Sequence, residues 1–181
     1  MVRIGLISDT HSFFDPRFFE LFKDVDEIWH AGDIGDKKVL EQIESFKPFR
    51  AVYGNIDGAD LRRELNQHER FMCEDVDVLM THIGGYPGKY DRSIKNTLFK
   101  NPPKLFICGH SHILKVIYDK KLDLLHINPG AAGRYGFHKV RTAIRFVIDG
   151  NLIKDMEVIE LENKSVPVMN QKGTINAQQK N

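Results

Sequence analysis

The chain has 181 residues, with 26 Lys and Arg against 25 Asp and Glu, for a formal charge of +1 at pH 7. That length suits one domain, and a composition of 41% hydrophobic and 28% charged residues excludes a chain disordered throughout. The charge balance excludes a general basic footprint for nucleic acid or anionic membrane, the two cysteines, Cys73 and Cys108, exclude a disulfide framework, and no apolar run approaches the ~20 residues that span a bilayer.

Residues 2–7 form a β-prone run stopped by Ser8, Asp9, Thr10 and His11, which predicts a strand feeding a polar loop. Pro16 opens a helix with Phe18, Phe19, Phe22 and Val25 at helical spacing. A second strand over 27–30 ends at Ala31, Gly32 and Asp33, and Asp36 can cap a helix whose apolar face is Val39, Leu40, Ile43 and Phe46. A strand from Phe49 to Tyr53 runs into the loop Gly54, Asn55, Ile56, Asp57, Gly58, and a short helix follows near 60–65. Alternating strand and helix predicts parallel strands.

The second half changes rhythm, with strands expected over 68–73, 76–80, 105–108, 114–118, 122–127, 142–148 and 153–159 and one helix near 93–99. Turn chemistry such as Asp149, Gly150, Asn151 marks hairpins. So many strands in one domain imply an α/β fold of two sheets packed face to face with helices outside. The domain is expected over 1–161, and 162–181, dominated by Asn, Gln, Lys, Ser and Gly, is expected to be a polar, mobile tail.

The informative pattern is where histidines and acids fall relative to the strands. Asp9 and His11 follow the first strand, Asp33 the second and Asn55 the third; His82 follows the strand ending at Met80, and His110 and His112 follow Cys108. Loops at the carboxyl ends of parallel strands share one rim and can converge on one site. Gly32, Gly54 and Gly109 precede these residues and allow tight turns or close backbone approach. Mixed carboxylate, imidazole and amide ligands in this number exceed what one ion needs, and suit two divalent ions of the Mn, Fe, Zn or Ni kind better than Mg or Ca. Asp33 is placed to bridge them. Ions about 3.5 to 4 Å apart would hold a bridging hydroxide and clamp a phosphoryl group through in-line displacement, which implies hydrolysis of a phosphate ester.

Asp9-Thr-His11, Gly32-Asp33, Gly54-Asn55-Ile-Asp57, Thr81-His82 and Gly109-His110-Ser-His112, in that order, resemble the signature blocks of the calcineurin-like metallophosphoesterases, and more narrowly their small YfcE-type phosphodiesterase branch. The resemblance covers roughly residues 1–150 and includes Asn128-Pro129-Gly130-Ala131. It implies a four-layer double β-sandwich flanked by helices, with Asp9, His11, Asp33 and His112 on one metal and Asp33, Asn55, His82 and His110 on the other. Asn55 and His82 would stabilise the phosphate, and manganese is the leading metal. The departure is Ile56: many superfamily members carry there a histidine that is a candidate proton donor to the leaving group, and isoleucine cannot donate. Asp57 matches the family's acidic position and is expected to orient a histidine or asparagine from behind.

Other residues read more plainly. His30 and His126 are expected to be structural and His68 to face water; Cys73 and Cys108 read as core residues, and Lys139 and Arg141 as solvated charge. The glycine-rich stretch 130–136 reads as a turn, with Arg134 as an alternative contact for a substrate phosphate. The acid at Asp9 interrupts a signal peptide, which points to a soluble cytoplasmic protein. The function expected is dinuclear metal-dependent hydrolysis of small phosphate esters, chiefly diesters, without specific nucleic-acid or membrane partners, and homo-oligomerisation is left open. The alternative is a non-catalytic scaffold similar to the Vps29 subunit of retromer, since fold does not fix function. Retention of the whole ligand set ranks catalysis first.

Overall fold

The first half of the chain folds as β1 (Val2–Ile7), α1 (Arg17–Leu21), β2 (Glu27–His30), α2 (Lys37–Glu44), β3 (Phe49–Ala51), α3 (Ala59–Glu64), β4 (His68–Cys73) and β5 (Val76–Thr81). A short hairpin, β6 (Gly85–Tyr86) and β7 (Lys89–Tyr90), leads to α4 (Arg92–Lys100). The chain then continues through β8 (Leu105–Ile107), β9 (Leu114–Asp119), β10 (Leu124–Pro129), β11 (Arg141–Asp149) and β12 (Leu152–Leu161). This computed structural model describes residues 1–161, and the tail expected over 162–181 lies outside the described residues.

Two five-stranded sheets result, in the orders β12-β11-β1-β2-β3 and β4-β5-β8-β10-β9. In the first, β1, β2 and β3 run parallel, as their alternation with helices requires, and β11 returns antiparallel beside β1. In the second, β5, β8 and β10 are parallel and β4 and β9 close the edges antiparallel. Period-two side-chain alternation then builds the layers. Ile4 and Leu6 of β1, Ile144 and Phe146 of β11, and Val78, Met80 and Ile107 of the other sheet bury one another between the sheets. Trp29 sits there fully buried, edge-on to Phe71 and Phe146 at centroid distances of 5.0 and 5.8 Å, with its indole N–H donated to Glu27 at 2.9 Å. The outer face of the first sheet packs Ile7 and Ile28 against Phe18, Phe22, Val39 and Ile43. That of the second packs Leu79, Phe106, Cys108 and Leu124 against Ile94 and Leu98 of α4. Helix, sheet, sheet and helix make four layers.

Most expected elements stand within a residue or two, and Asp36 caps α2 by accepting the Lys38 N–H at 2.9 Å. Four details differ. Helix α1 ends at Leu21, and Phe22 and Val25 reach the core from turns instead. The strand expected from Leu122 starts at Leu124, because Asp119 accepts the Lys121 and Leu122 N–H groups and bends the chain into a turn. His68 does not simply face water: it is half-buried and Nδ1 meets the Thr81 hydroxyl at 2.8 Å. Arg141 is not solvated charge either. It is 2% exposed and donates to Asp15 at 2.7 Å, across 126 residues of sequence.

Candidate metal centre

Parallel pairing puts the carboxyl ends of β1 and β2 side by side, and their loops zip together through backbone bonds from Asp9 N to Gly32 O, His11 N to Asp33 O and Ser12 N to Ile34 O, at 2.8 to 3.1 Å. A buried triad locks the same loops. His30 Nδ1 accepts the Gly32 N–H at 3.1 Å, so its Nε2 carries the proton, donated to Thr10 Oγ1 at 2.9 Å, and Thr10 donates onward to Ile34 O. Burial pushes the His30 imidazole down to about 4. His30 is therefore a neutral structural group, in keeping with its sequence reading.

The second sheet is joined to this rim through its own loops. Gly109 N bonds His82 O at 2.9 Å, His110 N donates to Asp9 Oδ2 at 3.1 Å, and Asn128 Nδ2 holds Gly109 O at 2.7 Å and Ser111 Oγ at 3.1 Å. The Asn128-Pro129-Gly130 stretch thus fixes the loop that carries His110 and His112. Close approach explains two of the glycines: a Cβ on Gly54 would stand 2.1 Å from Asp33 Oδ1, and one on Gly109 would stand 2.0 Å from Ser8 Oγ.

Two groups of ligating atoms assemble, each within 4.8 Å: Asp9 with His11 and His112, and Asp33 with His82 and His110. They touch one another through Asp33. Its Oδ2 lies 3.8 Å from His11 Nε2, while its Oδ1 lies 3.2 Å from His82 Nε2 and accepts the Ile56 N–H at 3.0 Å. His112 Nε2 lies 3.1 Å from Asp9 Oδ1 and 3.2 Å from His11 Nε2. Asn55 lines a cavity with His82, and its side-chain amide makes no hydrogen bond among the described residues. The backbone is also unusual here. Asp9, His11, Asp33, His110 and His112 all have positive φ, between 46° and 68°, a region that costs a non-glycine residue about 1–3 kcal/mol and is tolerated chiefly at functional sites.

The charge balance favours cations. Asp9 Oδ1 and His82 Nε2 are buried without a hydrogen-bond partner, a state that costs about 1–3 kcal/mol for each group unless something fills it. His82 donates Nδ1–H to Ala31 O at 2.8 Å, which leaves Nε2 as a lone pair aimed at the acids. Burial opposes ionisation of Asp33, yet His82, the Ile56 amide and His11 together hold its carboxyl below the ordinary range. Burial likewise lowers His11, whereas for His82 the two aspartates overcome burial and raise it. Orphaned oxygen and nitrogen lone pairs facing one another fit divalent metal ions of the borderline kind.

Residues behind the ligands set their orientation. Asp57 accepts the Gly35 and Gly54 N–H groups, both at 2.7 Å, so it fixes the backbone beside Asp33 and Asn55 rather than a histidine or asparagine side chain. Arg62 clasps the same loop through the carbonyls of Gly54, Asn55 and Asp57. His138 was not picked out from the sequence. Its Nε2 donates to Gly133 O at 3.0 Å, so its Nδ1 is an acceptor, and His112 Nδ1–H must donate to it at 3.3 Å, leaving His112 Nε2 free to ligate. Gly136, at φ 131°, lets this loop close, since a Cβ there would stand 2.3 Å from His112 Nδ1. Histidine-to-loop spacing carried no strand-end signal for His138, and the surrounding glycines read simply as a turn. Arg134 is exposed and stacks its guanidinium 3.8 Å from the Phe13 ring centre, beside the His11 loop.

Three cavities open around the centre: 280 Å³ past Asn55 and His82, 400 Å³ past His11, His112 and His138, and 710 Å³ past His110. Asp9, Asp33 and His82 are buried and His110 is exposed, so the centre opens on the His110 side.

Fold and donor set define a metal-dependent phosphoesterase, and comparison with known proteins agrees. The calcineurin-like phosphoesterase superfamily domain matches residues 2–151, and the chain belongs to that superfamily. A curated "probable metallophosphoesterase" of Methanocaldococcus jannaschii is 33% identical over 136 residues, which are 71% of this chain and 67% of that protein. Among solved structures, a novel archaeal phosphodiesterase superposes with a TM-score of 0.65 at 23% identity, over 88% of this chain and 99% of that one. Vps29 of Entamoeba histolytica, complexed with Zn²⁺, has a TM-score of 0.65 at 16% identity, over 87% and 98%. Both show the same fold. No helix among the described residues is long and apolar enough to cross a membrane.

Proposed function

We propose that this chain is a dinuclear phosphodiesterase acting on small phosphate esters, with manganese the leading metal and iron, zinc or nickel the alternatives. The observation that carries this reading is Asp33, whose two carboxylate oxygens face different ligand groups, one toward His11 and the other toward His82. A pair of divalent ions, when bound, supplies Lewis acidity and an activated water nucleophile. Asp9, His11, Asp33 and His112 would hold one ion, and Asp33, Asn55, His82 and His110 the other. Two carboxylates cannot neutralise two divalent ions, so the loaded centre is net positive and draws an anionic ester. Asn55, whose side-chain amide makes no hydrogen bond among the described residues, orients and stabilises the phosphoryl oxygens, and His82, with Nδ1–H taken by Ala31 O, acts on them through the ion it would hold. Arg134 adds a cation from beside the His11 loop. Asp57, His138 and the His30 triad hold the ligands in place so that little reorganises during reaction.

The test is a purified, metal-stripped chain reloaded with each ion and assayed on bis(p-nitrophenyl) phosphate and p-nitrophenyl phosphate, with elemental analysis alongside. Two ions per chain and preferential diester hydrolysis are expected. Asp33→Asn should empty at least one site, whereas Asp57→Asn should weaken metal affinity by about 10 to 100-fold. Two ions fully retained in the Asp33 variant would remove the bridge. Metal-free protein without turnover under any ion would favour the scaffold reading, which the likeness to Vps29 in fold keeps in view.

A further inference from the structure

The 710 Å³ cavity past His110 contains a group that hydrolysis at the metal centre does not use. His126, on β10, lines it, is fully buried, and has no hydrogen bond at either ring nitrogen. Burial, with Lys115 adding to it, pushes the imidazole down to about 4, so near neutral pH it offers one N–H donor and one lone pair. An unpaired buried polar group is destabilising until a guest satisfies it. His126 is therefore an unsatisfied polar group in the lining of this cavity.

The walls say which kind of guest. Lys89, Arg92 and Lys115 line the cavity. Lys115 holds its ammonium 3.8 Å from the Tyr86 ring centre, and Lys89 and Arg92 form no ion pair among the described residues. The acid in the same wall, Asp91, is committed to capping α4, accepting Ser93 N at 2.9 Å and Ser93 Oγ at 2.6 Å. His110 borders both this cavity and the Asp33 ligand group, so a substituent of a bound phosphate ester can extend from the centre into it.

We propose that this cavity is a subsite for a second, distal phosphate, so that the substrates are phosphodiesters with an organic substituent that carries its own phosphate group. That phosphate pairs with Lys89, Arg92 and Lys115 and accepts a hydrogen bond from His126. The proposal deepens the phosphodiesterase reading and, for its catalytic part, rests on it.

The probes are the p-nitrophenyl ester of thymidine 5′-monophosphate with and without a 3′-phosphate, which share scissile bond and leaving group. With manganese-loaded enzyme, kcat/KM should favour the 3′-phosphorylated ester by about tenfold or more, as charge-assisted bonds to phosphate warrant. Lys115→Gln should reduce the ratio, and the triple variant K89Q/R92Q/K115Q should bring it close to one. Calorimetry of thymidine 3′,5′-bisphosphate against thymidine 5′-monophosphate, on the same proteins, should show the same preference in Kd and its loss. Tighter binding of the bisphosphate with no hydrolysis of either ester would leave the subsite standing and overturn the phosphodiesterase reading. Hydrolysis of both esters with equal kcat/KM, or a preference that survives in the triple variant, would overturn the subsite.

Discussion

His138 illustrates how much of the proposed metal site lies in residues that would never touch a metal. Its proton sits on Nε2 because Gly133 O can only accept, and that fixes which nitrogen of His112 is left to ligate. His138→Ala should lower metal affinity by about 10 to 100-fold while leaving the fold intact, measured by competition with a chelator dye and by circular dichroism. Unchanged affinity would show that Asp9 and His11 orient His112 unaided. Ile56 makes a second residue-scale prediction. It gives Asp33 a backbone N–H but no acidic side chain, and a positioned general acid contributes about 10² to 10⁴-fold. A plot of log kcat/KM against leaving-group pKa should therefore fall steeply, and Ile56→His should flatten it by raising turnover of alkyl diesters most. A flat plot for the unaltered enzyme, with chemistry limiting, would mean that another group already supplies the proton. At this scale the candidate ligands were legible because each follows a strand, a position that sequence periodicity reports. His138 and the partner of Arg141 were not, since both depend on contacts between distant loops.

At the scale of elements, β2 and β10 each carry a buried, neutral histidine, His30 and His126, and burial lowers both to about 4. In the unfolded chain each titrates near 6.5, so between those values the unfolded state binds more protons and acid favours it. Their contribution to stability is whole above about pH 6.5 and is lost as pH falls toward 4. The melting temperature of metal-stripped protein should follow that course, and His126→Phe should flatten the fall by roughly half. A melting temperature constant from pH 7 to 4.5 would contradict the neutral assignment. Strand order was only partly legible. Parallel pairing of β1, β2 and β3 follows from the helices between them, but the β6–β7 hairpin, two residues a side around Pro87 and Gly88, is too short for any periodic signal. The match of Asp149-Gly150 to a hairpin turn fixed β11 against β12, yet said nothing of β11 lying beside β1.

Over the whole molecule, the bond between Asp15 and Arg141 ties β11 to the first loop through side chains. Arg17 also pairs with Asp15, and hydrogen bonds from it, opposed by burial and joined by Arg141, hold that carboxyl well below the usual range. Arg141→Met leaves a buried carboxylate partly paired and should cost about 3–5 kcal/mol, or about 6 to 20 °C in Tm. A double variant, Asp15→Leu with Arg141→Met, should recover much of the loss; failure to recover would show that Arg141 acts mainly through its other contacts.

The return of β11 to the side of β1 also sets an order of events during synthesis. Every expected metal ligand has been made once His112 emerges, but β1 keeps an open edge until Asp149 is in place, and the pairs from Val2 with Ile148 to Leu6 with Ile144 can form only then. At translation rates of about 5–20 residues per second, that leaves the growing chain roughly 2 to 7 s with a complete set of expected ligands and an incomplete sheet. In that interval the nascent protein presents an apolar strand edge to its surroundings, open to pairing with another chain.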